Sequence, residues 1–299
     1  MKRFALLAFS ALVVMAMLLS ACQAAAPTAS PSTEGHEPAE GYPGPGEETE
    51  TGYPAGSPES TESGTGAPAA GDNVIVVGTD PTFPPFETVD EATRELTGFD
   101  IELMKAIAEV NDWEIEWVTQ PFDPLLLSLE NCQVDLGIAA ITVTDERREV
   151  MLFSSAYLTD ENAGQVVVVR SGDTTIGGRE DLTGKKVGAQ LGTTGALEAE
   201  KIENVQFTPY DTYELAFQAL ALGQLDAVIA DKSLAEDYLA QHPGTFQIAG
   251  EPFTEEYYGI AICKDRTDLV EPINEALQTL IDNGTLRQLE VKWLASESE

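Results

Sequence analysis

The 299-residue chain carries 51 acidic and 16 basic side chains, a formal net charge of −35, and 43% apolar residues, enough for a sizeable core. Such a charge repels phosphate backbones and anionic lipid surfaces, which argues against nucleic acid as a partner and against docking on an acidic bilayer. With two histidines (His36, His242) and three dispersed cysteines (Cys22, Cys132, Cys263), a multi-histidine metal site, a zinc ribbon and a CxxC redox pair are excluded, so neither metal nor cofactor is expected.

Lys2 and Arg3 precede an apolar run from Phe4 to Leu19, too short for a comfortable membrane span. Residues 1–22 therefore read as a signal peptide. The run ends Leu19-Ser20-Ala21-Cys22, which resembles a bacterial lipobox and implies lipidation of Cys22. The competing reading is ordinary cleavage beside a chance cysteine. Acyl chains supply about 0.8 kcal/mol per buried methylene, so several of them anchor a chain stably. Residues 23–72 hold nine acidic residues, no Lys or Arg, and abundant Pro, Gly, Ser and Thr. With so few apolar side chains the segment does not offset its ordering entropy and reads as a disordered acidic tether. A flexible chain of that length spans roughly 40 Å.

From residue 73 the pattern changes to alternating strands and helices. Val74–Val77 reads as a buried strand ended by Gly78. Leu103, Met104, Ile107 and Val110 recur at helical spacing behind Asp100, a candidate cap. Trp113–Val118 predicts a strand, Pro124–Leu129 a helix, Val134–Ala140 a strand, and Asp145-Glu146-Arg147 the opening of another helix. Strands at 166–169, 186–189, 205–207 and 227–230 follow, with helices from Ala196 and over Tyr213–Leu222. Alternation of this kind implies parallel sheets flanked by helices, here in two similar blocks. Ligands of such sheets sit beyond the carboxyl ends of the strands, where informative residues are to be sought.

Those residues carry a resemblance. Val77–Glu87 (VGTDPTFPPFE), Gly98–Leu103 (GFDIEL), Ala140–Arg148 (AITVTDERR), Val187–Thr194 (VGAQLGTT), Asp226–Asp231 (DAVIAD), Tyr258–Ala261 (YGIA) and Lys292-Trp293-Leu294 stand in order. Together they resemble family 3 bacterial solute-binding proteins, the amino-acid receptors of ABC importers. The resemblance covers residues 74–294. It implies an α/β fold of the type II periplasmic-binding-protein (Venus flytrap) kind, two doubly wound sheets joined by a two-strand hinge. Lobe 1 is then 73–157 with 260–298 and lobe 2 is 158–259, with crossings near 157–163 and 255–259.

An amino-acid zwitterion enters a closed cleft only if both charges are paired there. Arg147 is the candidate cation for the carboxylate, because its planar fork supports two parallel hydrogen bonds; a surface pairing with Glu146 or Glu149 is the plainer alternative. It follows the strand ending Ala139-Ala140. Asp231, ending an apolar strand, is the candidate anion for the ammonium, with helix capping as its alternative. The Ala140 carbonyl could share the ammonium, and the Thr142 amide and hydroxyl the carboxylate. Gly192, Thr193 and Thr194 form a strand-to-helix turn whose amides suit the same carboxylate. The resemblance further implies that Phe83 and Phe122 sandwich the ligand side chain and that Asp80 and Gln190 meet its far end. Neither is apolar, which points to a polar or basic ligand such as glutamine, arginine, lysine, ornithine or histidine.

The implied topology also brings Cys132 near Cys263, as a disulfide or as two buried thiols; an extracytoplasmic setting permits the bond. The expected product is a monomeric, lipid-anchored extracytoplasmic receptor that closes on its ligand and serves the transmembrane subunits of an ABC permease. No nucleophile elbow, P-loop or metal-ligand run occurs, so no catalytic residue is expected. The alternatives are a dehydratase-type enzyme on the same scaffold, for which Glu87 and Glu256 are available carboxylates, or a sensory module for a membrane partner.

Overall fold

A computed structural model describes residues 73–159 and 164–294. The signal segment, Cys22 and the tether, together with residues 160–163 of the first crossing, lie outside the described residues. Strands β1 (Val74–Thr79), β2 (Thr88–Val89) and β3 (Leu96–Thr97) lead into helix α1 (Phe99–Asn111). Then come β4 (Glu114–Thr119), α2 (Phe122–Glu130), β5 (Leu136–Gly137), α3 (Asp145–Val150), β6 (Leu152–Phe153) and β7 (Leu158–Thr159). The next block holds β8 (Gln165–Arg170), β9 (Lys186–Gln190), α4 (Thr194–Glu200), β10 (Gln206–Tyr210), α5 (Tyr213–Ala221), β11 (Ala227–Asp231), α6 (Lys232–Gln241) and β12 (Phe246–Ala249). The chain ends with β13 (Tyr257–Tyr258), β14 (Ala261–Ile262), α7 (Val270–Asp282) and α8 (Thr285–Trp293).

Two five-stranded sheets result, in the orders β4-β1-β5-β14-β6 and β10-β9-β11-β8-β12. Each is built around a parallel trio, β4-β1-β5 and β10-β9-β11. Each then adds antiparallel strands: β14 beside β5 and β6, and β8 beside β11 and β12. The parallel pairing that strand–helix alternation implies holds within the trios; it does not extend to the strands that carry the chain from one sheet to the other. Between the sheets, β7 and β13 pair antiparallel, Leu158 with Tyr258.

The reasons are local. On α1, the side chains of Phe99, Ile101, Leu103, Met104, Ile107 and Ala108 are buried. Each large one contributes about 1.5–3 kcal/mol on leaving water. Asp100 does not cap α1; Gly98 holds that position. The Asp100 carboxylate instead points inward, accepting the Ala140 N–H at 2.7 Å and the Tyr157 hydroxyl at 2.8 Å. The strand expected over 134–140 is only two residues long, because the chain turns away and Ala140 adopts a left-handed φ of 45°. That conformation costs an alanine about 1–2 kcal/mol, and the Asp100 hydrogen bond offsets part of it. Helix α2 begins at Phe122, two residues before the pattern suggests, and α4 at Thr194 rather than Ala196. A disulfide joins Cys132 to Cys263, Cα atoms 5.1 Å apart. It ties the turn after α2 to the end of β14.

Candidate functional site

The carboxyl ends of β1, β5, β9 and β11 converge on one cavity between the two sheets. Ten residues line it: Phe83, Phe122, Ala139, Ala140, Thr142, Arg147, Gln190, Thr193, Thr194 and Asp231. Asp80 and Gly192 are not in the lining but hydrogen-bond to residues that are, Gln190 and Arg147.

Arg147 is placed by helix α3, whose N-cap Thr144 accepts the Arg147 N–H at 3.2 Å. The side chain is buried, and two of its five N–H donors are used on backbone carbonyls of the protein. One nitrogen donates to the Thr142 carbonyl at 2.7 Å, and another to the Gly192 carbonyl at 2.9 Å. The guanidinium carbon lies 5.4 Å from the centre of the Phe122 ring, within range of a cation–π contact. Burial pushes its pKa down to about 10, opposed by the carboxylates of Glu256 and Asp231. It remains charged throughout the physiological range.

Asp231 closes strand β11, and its carboxylate takes the hydroxyl of Tyr258 from the crossing strand β13. It stands at the N-cap position of α6 without capping it. Burial, and next the neighbouring Glu256 carboxylate, push its pKa up to about 7. Asp80, immediately after β1, is 2% exposed. It accepts the Thr82 hydroxyl and the Gln190 amide, each at 2.8 Å. Burial raises its carboxyl, and those two donors oppose the rise. Gln190 also donates to the Asp211 carbonyl at 3.0 Å. Gly192 has φ 79°, and a Cβ there would meet Asp123 at 3.0 Å, so a side chain at this turn is doubly disfavoured. Thr193 caps α4, accepting the Ala196 N–H at 3.2 Å. Phe83 packs 5.7 Å from Tyr213, centre to centre.

The structure therefore gathers every residue singled out for the site. It also adds Glu256, which the sequence offers only as an available carboxylate with nothing to position it. Glu256, 4% exposed, lies between the two sheets on the segment leading to β13. One of its oxygens, Oε2, accepts the Thr142 hydroxyl at 2.7 Å and the Thr194 hydroxyl at 3.0 Å. The other accepts from Thr254 at 3.2 Å. The expected role of the Thr142 hydroxyl as a carboxylate donor is thus corrected, because its proton is already given to Glu256. No spacing in the sequence could show this, since 114 residues separate the pair. Glu87, the other acid considered for catalysis, does not line the cavity. It is fully buried beside Asp100, and burial with that neighbour raises its carboxyl well above the usual range.

Comparison with known proteins points in one direction. The model of bacterial extracellular solute-binding proteins, family 3, matches residues 75–296. The L-cystine-binding protein TcyJ of Escherichia coli K12 is 30% identical over 224 residues, covering 75% of this chain and 83% of its own. An ancestral arginine-binding protein solved with arginine is 39% identical, with a TM-score of 0.71, over 75% of this chain and 99% of its own. The arginine-, lysine-, histidine-binding protein ArtJ of Geobacillus stearothermophilus is 34% identical, with a TM-score of 0.70, over 76% and 97%.

Proposed function

The chain belongs to the bacterial extracellular solute-binding proteins, family 3, and from that premise we propose that it captures a polar or basic L-amino acid for an ABC importer. The observation that carries the reading is the charge layout of one buried cavity. A guanidinium, Arg147, stands at one end of the zwitterion's place, a carboxylate, Asp231, lies across from it, and a third charged group, Asp80, sits beyond. The ligand carboxylate binds the Arg147 N–H donors that the two backbone carbonyls leave, aided by the backbone amides of the turn at Gly192, Thr193 and Thr194. The ammonium goes to Asp231 and to the Ala140 carbonyl. Phe83 and Phe122 cover the side-chain stem, and Asp80 with Gln190 receives its polar tip.

A basic ligand suits the site best. Asp80, Asp231 and Glu256 outnumber Arg147, so a second positive charge lowers the cost of closing a buried cleft around them. The related ancestral protein, solved with arginine and also with glutamine, supports a polar or basic ligand. In this reading the chain works outside the cytoplasm, lipidated at Cys22 after loss of a signal segment and tethered by residues 23–72, with lobes 73–157 plus 260–298 and 158–259. In that setting it works as a monomer, binds and releases without catalysis, and passes its ligand to a permease.

Equilibrium dialysis with labelled arginine, glutamine and glutamate tests the reading. The chain, freed of any bound solute by unfolding and refolding, is expected to retain arginine or glutamine and not glutamate. Retention of glutamate alone would overturn the assignment of the far end of the site.

A further inference from the structure

Glu256 reaches both sides of the cleft with a single oxygen. Thr142 belongs to the segment after β5 and bridges to Tyr258, while Thr194 opens α4 in the second block. Both hydroxyls end on Oε2 of Glu256. An ionised carboxylate has no proton to give, so each threonine must be the donor, and a hydroxyl has only one proton. Both threonines line the cavity, and toward it they are left with lone pairs alone. One lone pair of Thr194 is already used by the Gln165 amide, which donates to it at 3.2 Å.

We propose that Glu256 is a positioning residue that sets which end of the zwitterion each part of the cleft accepts. By drawing the Thr142 and Thr194 protons away, it makes both hydroxyls obligatory acceptors. They then receive ammonium N–H groups beside Asp231 and repel a carboxylate, which is left to Arg147 and the backbone amides of the Gly192–Thr194 turn. The inference rests on the amino-acid reading above and deepens it: recognition of the α-ammonium depends on a residue that does not touch the ligand. A buried acceptor left without its donor is costly, so an analogue that replaces the ammonium by a hydroxyl is rejected.

The test compares arginine with argininic acid, its α-hydroxy analogue, and glutamine with 2-hydroxyglutaramic acid. Titration calorimetry of the wild type is expected to give at least a hundredfold preference for the amino form. Glu256→Gln places a donor amide against the threonines, so one hydroxyl proton becomes free to face the ligand. Its affinity for the amino acid is expected to fall at least tenfold, and that for the hydroxy acid less than threefold. Glu256→Asp, which keeps the acceptor character, should restore much of the preference. Thr142→Val reports the same effect without touching the acid, and adding Glu256→Gln to it should cost less than the product of the two separate losses. Equal losses for both ligand types, or independent effects in the double variant, would overturn the proposal while leaving the receptor reading intact. A wild type that binds neither arginine nor glutamine would overturn the receptor reading itself, and the inference with it.

Discussion

The guanidinium of Arg147 donates to the Gly192 carbonyl 2.9 Å away, so a cation held by α3 touches the backbone turn between β9 and α4. The same group is the intended partner of a ligand carboxylate, which then lies against both sheets. Contacts available only when the sheets approach bias the molecule toward its closed form. Replacing Arg147 by Ala is expected to weaken amino-acid binding by two to three orders of magnitude, in line with about 2–5 kcal/mol for losing one partner of a buried charge pair. Arg147→Lys should recover little of it, since an ammonium does not reproduce the fork. Calorimetric affinities of the two variants check this; a lysine variant with near-wild-type affinity would contradict it.

Asp231 gives the binding a pH dependence of definite sign. In the ligand-free protein its pKa is pushed up to about 7 by burial and by Glu256, with Tyr258 and Gln165 opposing as hydrogen-bond partners. Arg147 is the nearby cation. A ligand ammonium beside Asp231 favours the charged form, so its pKa falls on binding and a proton is released. Affinity should rise between pH 5.5 and 7, at most about tenfold per pH unit, and level off above. Calorimetry in two buffers of different ionisation enthalpy reads the released proton. Asp231→Asn should bind weakly at every pH and lose the slope.

The same shift acts on folding. A carboxyl whose folded pKa is raised binds more protons in the native state than in the unfolded one, so stability falls as pH rises from about 4 to about 7. Asp100, raised to about 6 mainly by burial, acts in the same direction. The ligand-free chain is expected to melt at a higher temperature at pH 5 than at pH 8, and saturating ligand should narrow the gap. Calorimetric melting across that range checks the sign.

Much of this was readable from residue order. The Thr144 cap ahead of Arg147, the apolar strand ending at Asp231 and the Gly192 turn are short-range patterns, and short-range patterns are what a sequence displays. What could not be read depends on distant partners. Asp100 has the spacing of a helix cap, yet its carboxylate serves Ala140, forty residues on. The shortness of β5 follows from that same contact and from the left-handed Ala140. Glu256 has no local signature; its importance arises only when Thr142 and Thr194 meet on it.

Asp80 is held by the Gln190 amide, and a basic ligand must take over that contact. Asp80→Asn should weaken arginine and lysine binding by about ten- to a hundredfold, since a buried charged hydrogen bond contributes about 1.5–3 kcal/mol. Glutamine should lose far less, so the ratio of the two affinities is the readout. Equal losses would place the ligand's tip elsewhere.

Joining Cys132 to Cys263 closes a loop of 131 residues in sequence separation. A bond of this reach stabilises by about 2–5 kcal/mol, chiefly by restricting the unfolded chain. Replacing both cysteines by Ala should lower Tm by about 5–15 °C and leave the amino-acid affinity within a factor of three. Two thiols that alkylate readily without reductant in the native protein would contradict the pairing.

The most direct measurement is a thermal-shift screen of the refolded, ligand-free chain against all common L-amino acids. A ligand at a hundred times its Kd stabilises the folded state by about 2.7 kcal/mol, about 5–10 °C for a protein of this size. The account predicts a large shift with arginine, lysine, ornithine, histidine or glutamine and none with aspartate or glutamate. A flat response to every amino acid from a demonstrably folded chain would contradict it.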